Sequence, residues 1–411
     1  CRDFGQNYLN SMDAKGNPVI FTNGDNDTFP LWYNQETEGV RTDARVCNLS
    51  YLQTDWYIDQ MRRPAYDSPS LPISWTRLQY VTGTREGIPV QPDALQQVID
   101  YYKDSPEDLK QMLGDNPYEL KNIIRHWVLN DNPDLQIFPT DSIVVTVDKE
   151  AVKRSGMMIA ADSIPDVMHI SLKGKRAVYK SEMMMLEMIS QANWERPLYM
   201  STTVGPDNYG HLGDNFVQEG LACRITPFDT KQSGRTIDSE RMYNNMMNKF
   251  KYGGLKENPD IYLDETVIRM CYTHRRLFNQ LAQQLLKEGQ KDKALKVLQR
   301  AEEEIPGSIV PHEAFYGHSL ELADAWLALG HKAEAEKLLN AVGQNAKEYI
   351  EWYLSLNTQR LLQSSRECLM QIYILNDIAK TWEPIDKKKA ETYRMEVNNY
   401  ASRCHQRGMS L

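Results

Sequence analysis

Apolar residues along this chain follow two regimes. Up to about residue 230 they come as short runs separated by turn residues and helical stretches; beyond about residue 265 they recur only at helical spacing. The first run, PVIFT at 18–22, lies between Gly16-Asn17 and Asn23-Gly24 and predicts a buried strand. Residues 28–38 carry Phe29, Leu31, Trp32 and Tyr33, stop at Gly39 and predict a helix. Residues 45–50 predict a second strand. Residues 54–63 predict a second helix, with Thr54 as N-cap and Pro64 as its stop. Strands alternating with helices imply parallel pairing through crossover helices. The expected fold class is therefore α/β, with a Rossmann-like, mostly parallel sheet.

This α/β domain is expected to span 1–230. Its stretch 64–92, with Pro64, Pro69, Pro72, Pro89 and Pro92, predicts an irregular excursion. Helices are expected at 93–102, 117–127 and 180–193. Strands are expected at 142–147, 167–172, 197–203 and 221–227. Met183, Met184, Met185 and Met188 on the last helix read as adaptable core filler. A connector follows at 231–264, helical over 238–250 and irregular over 252–264.

Residues 265–411 read as an all-α domain of tetratricopeptide-like repeats. In that pattern large apolar residues fill a groove and small ones let paired helices approach closely. Phe278, Leu281, Ala282, Leu285, Gly289, Ala294, Leu298, Ala301 and Pro306 fall at the expected relative positions. Leu322, Ala323, Trp326, Gly330, Ala335, Leu339 and Val342 repeat them. The spacing from Gly289 to Gly330 equals that from Ala294 to Ala335 and exceeds the usual period of about 34 residues. A more degenerate pair, 367–382 and 386–404, resembles an end cap. A stack of this kind leaves a concave face for an extended peptide or a partner domain.

Composition narrows the function classes. The 411 residues are 41% hydrophobic and 25% charged, ordinary values for a folded chain. The net charge of −9 argues against nucleic acid and against anionic lipid, both of which need basic surfaces. No run approaches the roughly 20 apolar residues of a membrane span. The chain begins at Cys1 rather than Met, which reads as a fragment or processed form of something longer; Cys1 could then be a lipoprotein's anchor cysteine. None of the six cysteines forms a CxxC pair, so they read as buried free thiols, or as a long-range disulfide in an oxidising compartment.

Candidate chemistry concentrates at 22–28, TNGDNDT, after the first strand and at the start of a helix, where ligands of α/β sheets usually sit. Asp25 and Asp27 form a D-x-D pair able to hold a divalent cation through oxygen ligands. The same residues also make an Asn-Gly turn and a helix cap. Asn23, Asp25, Asn26, Asp27 and Asp55 are the candidate ligand-binding residues there, joined by Asn208 and Tyr209 from the Gly-rich loop 204–210. Asp43, Arg45, Asp55 and Asp59 could crowd the same sheet edge and raise one carboxylate pKa. No catalytic residue is assigned. The loop lacks the Gly-Lys-Ser/Thr of a P-loop. The eight histidines show no H-x-x-x-H spacing, and no serine sits in a G-x-S-x-G elbow.

The segments FTNGDNDTFPLWYNQE at 21–36, VRTDARVCNLSYLQTDWYIDQM at 40–61 and NWERPLYMSTTVGPDNY at 193–209 resemble a bacterial family of large multi-pass membrane proteins. That family carries a membrane domain of unknown function and is related to the transmembrane protein O-mannosyltransferases. In it these motifs sit in a soluble C-terminal region, with helical repeats following. The resemblance implies a periplasm-facing domain of an inner-membrane protein whose parent transfers a sugar from a lipid-linked donor to protein. It places the catalytic acid in the membrane region, so Asp25 and Asp27 are not thereby catalytic and this stretch is expected to be inactive alone. The implied partners are an acceptor polypeptide or partner protein on the repeats, and the protein's own membrane domain. No cofactor is implied. The alternative is a self-contained metal-dependent enzyme centred on Asp25 and Asp27.

Overall fold

Val19, Ile20 and Phe21 are fully buried in strand β1 (Val19–Thr22), as a run with no polar face must be. The structure is a computed structural model that describes residues 1–158 and 163–409. Ser410 and Leu411, at the end of the expected helical region, lie outside the described residues. The chain divides into two compact units, Cys1–Lys251 and Tyr252–Leu411.

In the first unit a five-stranded sheet runs in the order β2-β1-β7-β9-β8. Strand β2 (Arg45–Asn48) pairs parallel with β1, Val19 opposite Arg45 and Thr22 opposite Asn48. On the other flank β7 (Leu198–Ser201) is also parallel to β1. Beyond it the expectation of a mostly parallel sheet fails. Strands β8 (Phe216–Gln218) and β9 (Ala222–Ile225) are antiparallel to each other, and β9 is antiparallel to β7. The cause is local: β8 and β9 are joined by three residues, with Gly220 at φ +151°, and so short a turn cannot bring strands side by side in parallel. The sheet is mixed.

The expected strands at 142–147 and 167–172 form outside this sheet. Strands β4 (Ser142–Thr146) and β5 (Val167–Ser171) make their own antiparallel ribbon. Their burial alternates along the strand, as in a ribbon with one face on the core, whereas every residue of β1, β2 and β7 is buried. The Pro-rich excursion contributes β3 (Gly87–Pro89), antiparallel to β6 (Ala177–Tyr179).

The first three helices of this unit are α1 (Arg2–Ser11), α2 (Asp25–Glu38) and α3 (Asp55–Met61). A later one, α4 (Lys180–Gln191), buries Met183, Met184, Met185 and Met188 in the main core. Helix α1 escaped sequence reading because Phe4, Tyr8 and Leu9 are its only large apolar residues. Its contact with α2 depends on Gly5, where an added methyl would press on the Pro30 carbonyl and the Asn34 amide. Gly5→Ala is therefore expected to cost about 1–3 kcal/mol, read as a lower urea midpoint at unchanged slope.

A buried charge cluster ties β9 to the loop after α1. Arg224, 1% exposed, lies 3.4 Å from Asp13 and 3.8 Å from Glu219, which is itself 1% exposed. Arg241 approaches the same carboxylates at 3.3 and 3.6 Å. The Tyr199 hydroxyl donates to Glu219 at 2.9 Å.

The second unit is helical. Helix α5 (Glu265–Lys287) starts where the Asp264 side chain accepts from the Val267 amide at 3.0 Å, and it packs on α6 (Lys291–Glu304) across a turn holding Gly289 at φ +75°. The same hairpin recurs as α7 (Ser319–Ala328) on α8 (Lys332–Ser355), with Gly330 at φ +83°, and as α9 (Ser365–Trp382) on α10 (Lys387–Gln406). Helix α5 also packs on α7, and α8 on α9, so hairpins contact their sequence neighbours. No helix among the described residues is long and apolar enough to cross a membrane.

None of the six cysteines is joined in a disulfide. Cys368 on α9 and Cys404 on α10 are fully buried with sulfurs 3.9 Å apart.

Candidate functional site

Strand β1 connects through α2 to β2 on one side, and β7 flanks it on the other, so the strand order switches sides at β1. Crevices at the carboxyl ends of strands at such a point are the usual ligand sites of α/β sheets. Here the point is occupied by α2's own first turn. The helix begins at Asp25, three residues earlier than the periodicity predicts, because the Asn23-Gly24 turn delivers the chain directly into it.

Asp27, the third residue of α2 and 4% exposed, faces inward. Its Oδ1 accepts from the Gly24 amide at 2.9 Å. Its Oδ2 accepts from the Thr203 hydroxyl at 2.9 Å and from the Asn23 amide at 3.4 Å. Thr203 Oγ1 lies 2.7 Å from Ser201 Oγ and 3.0 Å from the Tyr8 hydroxyl. Burial pushes the Tyr8 phenol up; hydrogen bonds from Ser201, Thr202 and Thr203 oppose this without cancelling it. On the β2 side Thr22 Oγ1 meets Thr28 Oγ1 at 2.8 Å, and Asn48 Nδ2 donates to Thr28 at 2.9 Å. Asn48 Oδ1 accepts from the Tyr51 amide at 3.0 Å. The Ser50 hydroxyl reaches the Asn23 carbonyl oxygen and Oδ1, each at 2.9 Å. These bonds close α1, α2 and three strand ends into one hydroxyl-rich network.

The D-x-D pair does not converge. Asp25 and Asn26 are exposed, and residues two apart on a helix point about 200° apart. Both oxygens of Asp27 are taken by the protein itself. The other carboxylates proposed for this edge are also partnered, Asp55 and Asp59 sharing Arg77. Asp43 pairs with Arg41 at 2.8 Å, and Asp59 bonds Arg77 and the Tyr80 hydroxyl. Arg45 gives Nη2 to the carbonyls of Gln60 and Arg63. Asp55 accepts from the Thr82 amide at 3.2 Å, and that bond holds its carboxyl below the ordinary range. At Asp55 the shift is thus down and not the expected rise, because the Thr82 amide and Arg77 favour its charged form. Asn208 is exposed in a 3₁₀ turn, while Tyr209 packs edge-on against Phe216 at 4.9 Å. Among the described residues no group of three or more His, Cys, Asp or Glu side chains is arranged to hold a metal ion.

Sequence reading missed Tyr8, Ser201 and Thr203, whose relation to Asp27 is wholly long-range. It also missed an aromatic row outside this network. Phe29 stacks on Trp32 at 5.7 Å, Trp32 on Tyr51 at 6.2 Å, and Tyr51 tilts against Trp56 at 5.9 Å. Phe29 and Trp56 are 45% and 50% exposed. The available signal was the exposed side of α2, where Phe29 and Tyr33 share a face with Asp25 and Asn26.

A family sequence model described as TMEM260-associated domain 2 matches residues 1–245. No curated protein and no solved structure matches the chain.

Proposed function

The chain belongs to the family of the TMEM260-associated domain 2, and from that premise we propose that it is a non-catalytic extramembrane domain of a membrane glycosyltransferase-like protein. On this reading it faces the periplasm, works beside its own membrane domain, and binds the acceptor polypeptide or a partner protein. The first unit is the Rossmann-like part and the helical unit a tetratricopeptide-like binding surface.

The observation that carries the proposal is the state of Asp27. At the one strand end where an α/β sheet would keep a reactive carboxylate, both oxygens are committed to the Gly24 amide and the Thr203 hydroxyl. Such a group fixes a helix start, its oxygens turned to the protein's own donors. The helical unit supports the binding half. Leu281, Ala282, Leu285, Ala294, Leu298 and Ala301 are buried as the repeat pattern requires, while Tyr349, Trp352 and Tyr373 remain 46%, 54% and 60% exposed.

Calorimetric titration of the chain with manganese, calcium and a nucleotide sugar is expected to be silent. A saturable signal abolished by Asp25→Asn would replace this reading with a metal-dependent enzyme. Selection from an extended-peptide library is expected to return binders that Trp352→Ala and Tyr373→Ala weaken roughly tenfold.

A further inference from the structure

Strand β5 has one edge that the fold leaves unpaired. Its ribbon with β4 sets Val144 opposite His169 and Val145 opposite Met168. The Val147 amide donates to the Asp166 carbonyl at 2.9 Å, and the Leu172 amide to the Asp141 carbonyl at 2.7 Å. Bonds between antiparallel neighbours fall on alternate residues, so Asp166, Met168, Ile170 and Leu172 bond toward β4. The main-chain N–H and C=O groups of Val167, His169 and Ser171 point the other way. Among the described residues none of these groups has a hydrogen-bond partner. The outer edge of β4, by contrast, is covered: the Val144 amide donates to the Tyr118 carbonyl at 3.0 Å and the Thr146 amide to Glu119 at 2.9 Å. Folds cover open edges or arm them with Lys or Pro, because an open edge is a template for another strand. Residues 167–171, VMHIS, carry neither.

This edge borders a cavity of 840 Å³, within the range of ligand sites of about 300–1,000 Å³. Val167, His169 and Ser171 all line it. So does Ile170, whose side chain is turned to the core, as a cavity running along the edge and not over one face requires. Asn215 and Val217, from the start of β8, line it as well. We propose that this groove takes an extended acidic segment of a partner polypeptide, added to β5 as the third strand of the ribbon. The site lies on the first unit and is independent of the helical surface invoked above.

Two observations choose that occupant. The unanswered main-chain groups repeat at two-residue spacing, which an extended backbone matches and a compact ligand does not. The charges then select acidic side chains. Asp166 pairs with Lys149 at 2.7 Å, Asp214 pairs with Lys231 at 2.7 Å, and Asp229 accepts from the Gln232 amide at 3.0 Å as a helix cap. Arg235 lines the same groove, and its guanidinium has no carboxylate partner among the described residues. A carboxylate on the added strand would answer it.

The test uses blocked peptides of about six residues, alternating valine and threonine and carrying one glutamate, glutamine or lysine. Fluorescence polarisation reads their binding to the full chain. The glutamate peptide is expected to bind with Kd on the order of 10–100 µM, about threefold tighter than its glutamine counterpart, a preference lost in Arg235→Gln. His169→Pro removes an outward N–H and no bond to β4, so about tenfold weaker binding is expected with unchanged circular dichroism. Methylating alternate peptide nitrogens, in each of the two phases, probes the same bonds on the unaltered protein; one phase should abolish binding. Trp352→Ala and Tyr373→Ala should leave it intact, so failure here does not touch the helical surface. The proposal is overturned if no peptide binds, if His169→Pro or both methylated phases keep full affinity, or if the lysine peptide binds as well as the glutamate one. Concentration-dependent dimerisation abolished by His169→Pro would also overturn it, assigning the edge to a second copy.

Discussion

Replacing Arg224 by Met is expected to lower the unfolding free energy of the first unit by about 3–5 kcal/mol at pH 7. Arg224 and Glu219 are each 1% exposed, so removing the cation leaves a carboxylate in a dry interior with only Arg241 and Tyr199 to answer it. Burial already pushes the Glu219 carboxyl up, even with Arg224 and Arg241 opposing it. A carboxyl raised in the folded state makes folding easier as pH falls through that value, because the folded form then binds the extra proton. Without Arg224 the upward shift grows, so the variant's deficit should narrow from pH 7 toward pH 5. Asp13 adds to the trend at lower pH. Burial raises its carboxyl, but Arg224, the Lys15 amide and Arg241 outweigh this and hold it below the ordinary range. Its stabilisation is present above the unfolded carboxyl pKa and lost on acidification, and the variant has less of it to lose. Urea unfolding of both proteins at several pH values measures this. A deficit constant across pH would show that packing, not charge, is what Arg224 supplies.

Oxidised glutathione is expected to close a disulfide between Cys368 and Cys404 and to stabilise the last hairpin by about 3–4 kcal/mol, given the 36-residue separation. The sulfurs face each other at 3.9 Å between α9 and α10, so small side-chain rotations suffice. Two thiols lose two protons and two electrons, and the glutathione disulfide is reduced to two glutathione thiols. The reaction should be slow at neutral pH. Burial first, and then Cys404, push the Cys368 thiol up to about 12, and attack requires the thiolate. Its rate should therefore climb as pH rises. Intact mass, falling by two hydrogens, and a higher thermal midpoint report closure; Cys368→Ser abolishes both. A mass gain of one glutathione with no cross-link would show that the helices cannot bring the sulfurs together.

The strand-end site was legible in part. Turn residues following an apolar run marked 22–28 as the place where a helix opens at a sheet edge, and Asn23, Asp25, Asn26 and Asp27 all lie there. Their arrangement was not legible. Asp27 is answered by Thr203, 176 residues away, and no local spacing encodes that distance. Asp55 and Asp59 looked like neighbours of the same edge, but each was claimed by Thr82, Arg77 or Tyr80 from the Pro-rich excursion. The same limit hid Tyr8 and the row from Phe29 to Trp56, whose members come from α2 and from the segment after β2.

What this sequence determines alone is what short-range periodicity can carry. Short apolar runs such as 19–21 and 198–200 must lie inside a sheet, and the small-and-large spacing beyond residue 265 must pair helices. Only the tertiary structure decided that β9 returns antiparallel on β7, that 142–146 and 167–171 leave the main sheet, and that Gly5 admits α1 against Pro30. The physical reason is range. Burial and helix capping are settled within a few residues. Strand order, charge pairing and the fate of a single carboxylate depend on which distant segment arrives beside it.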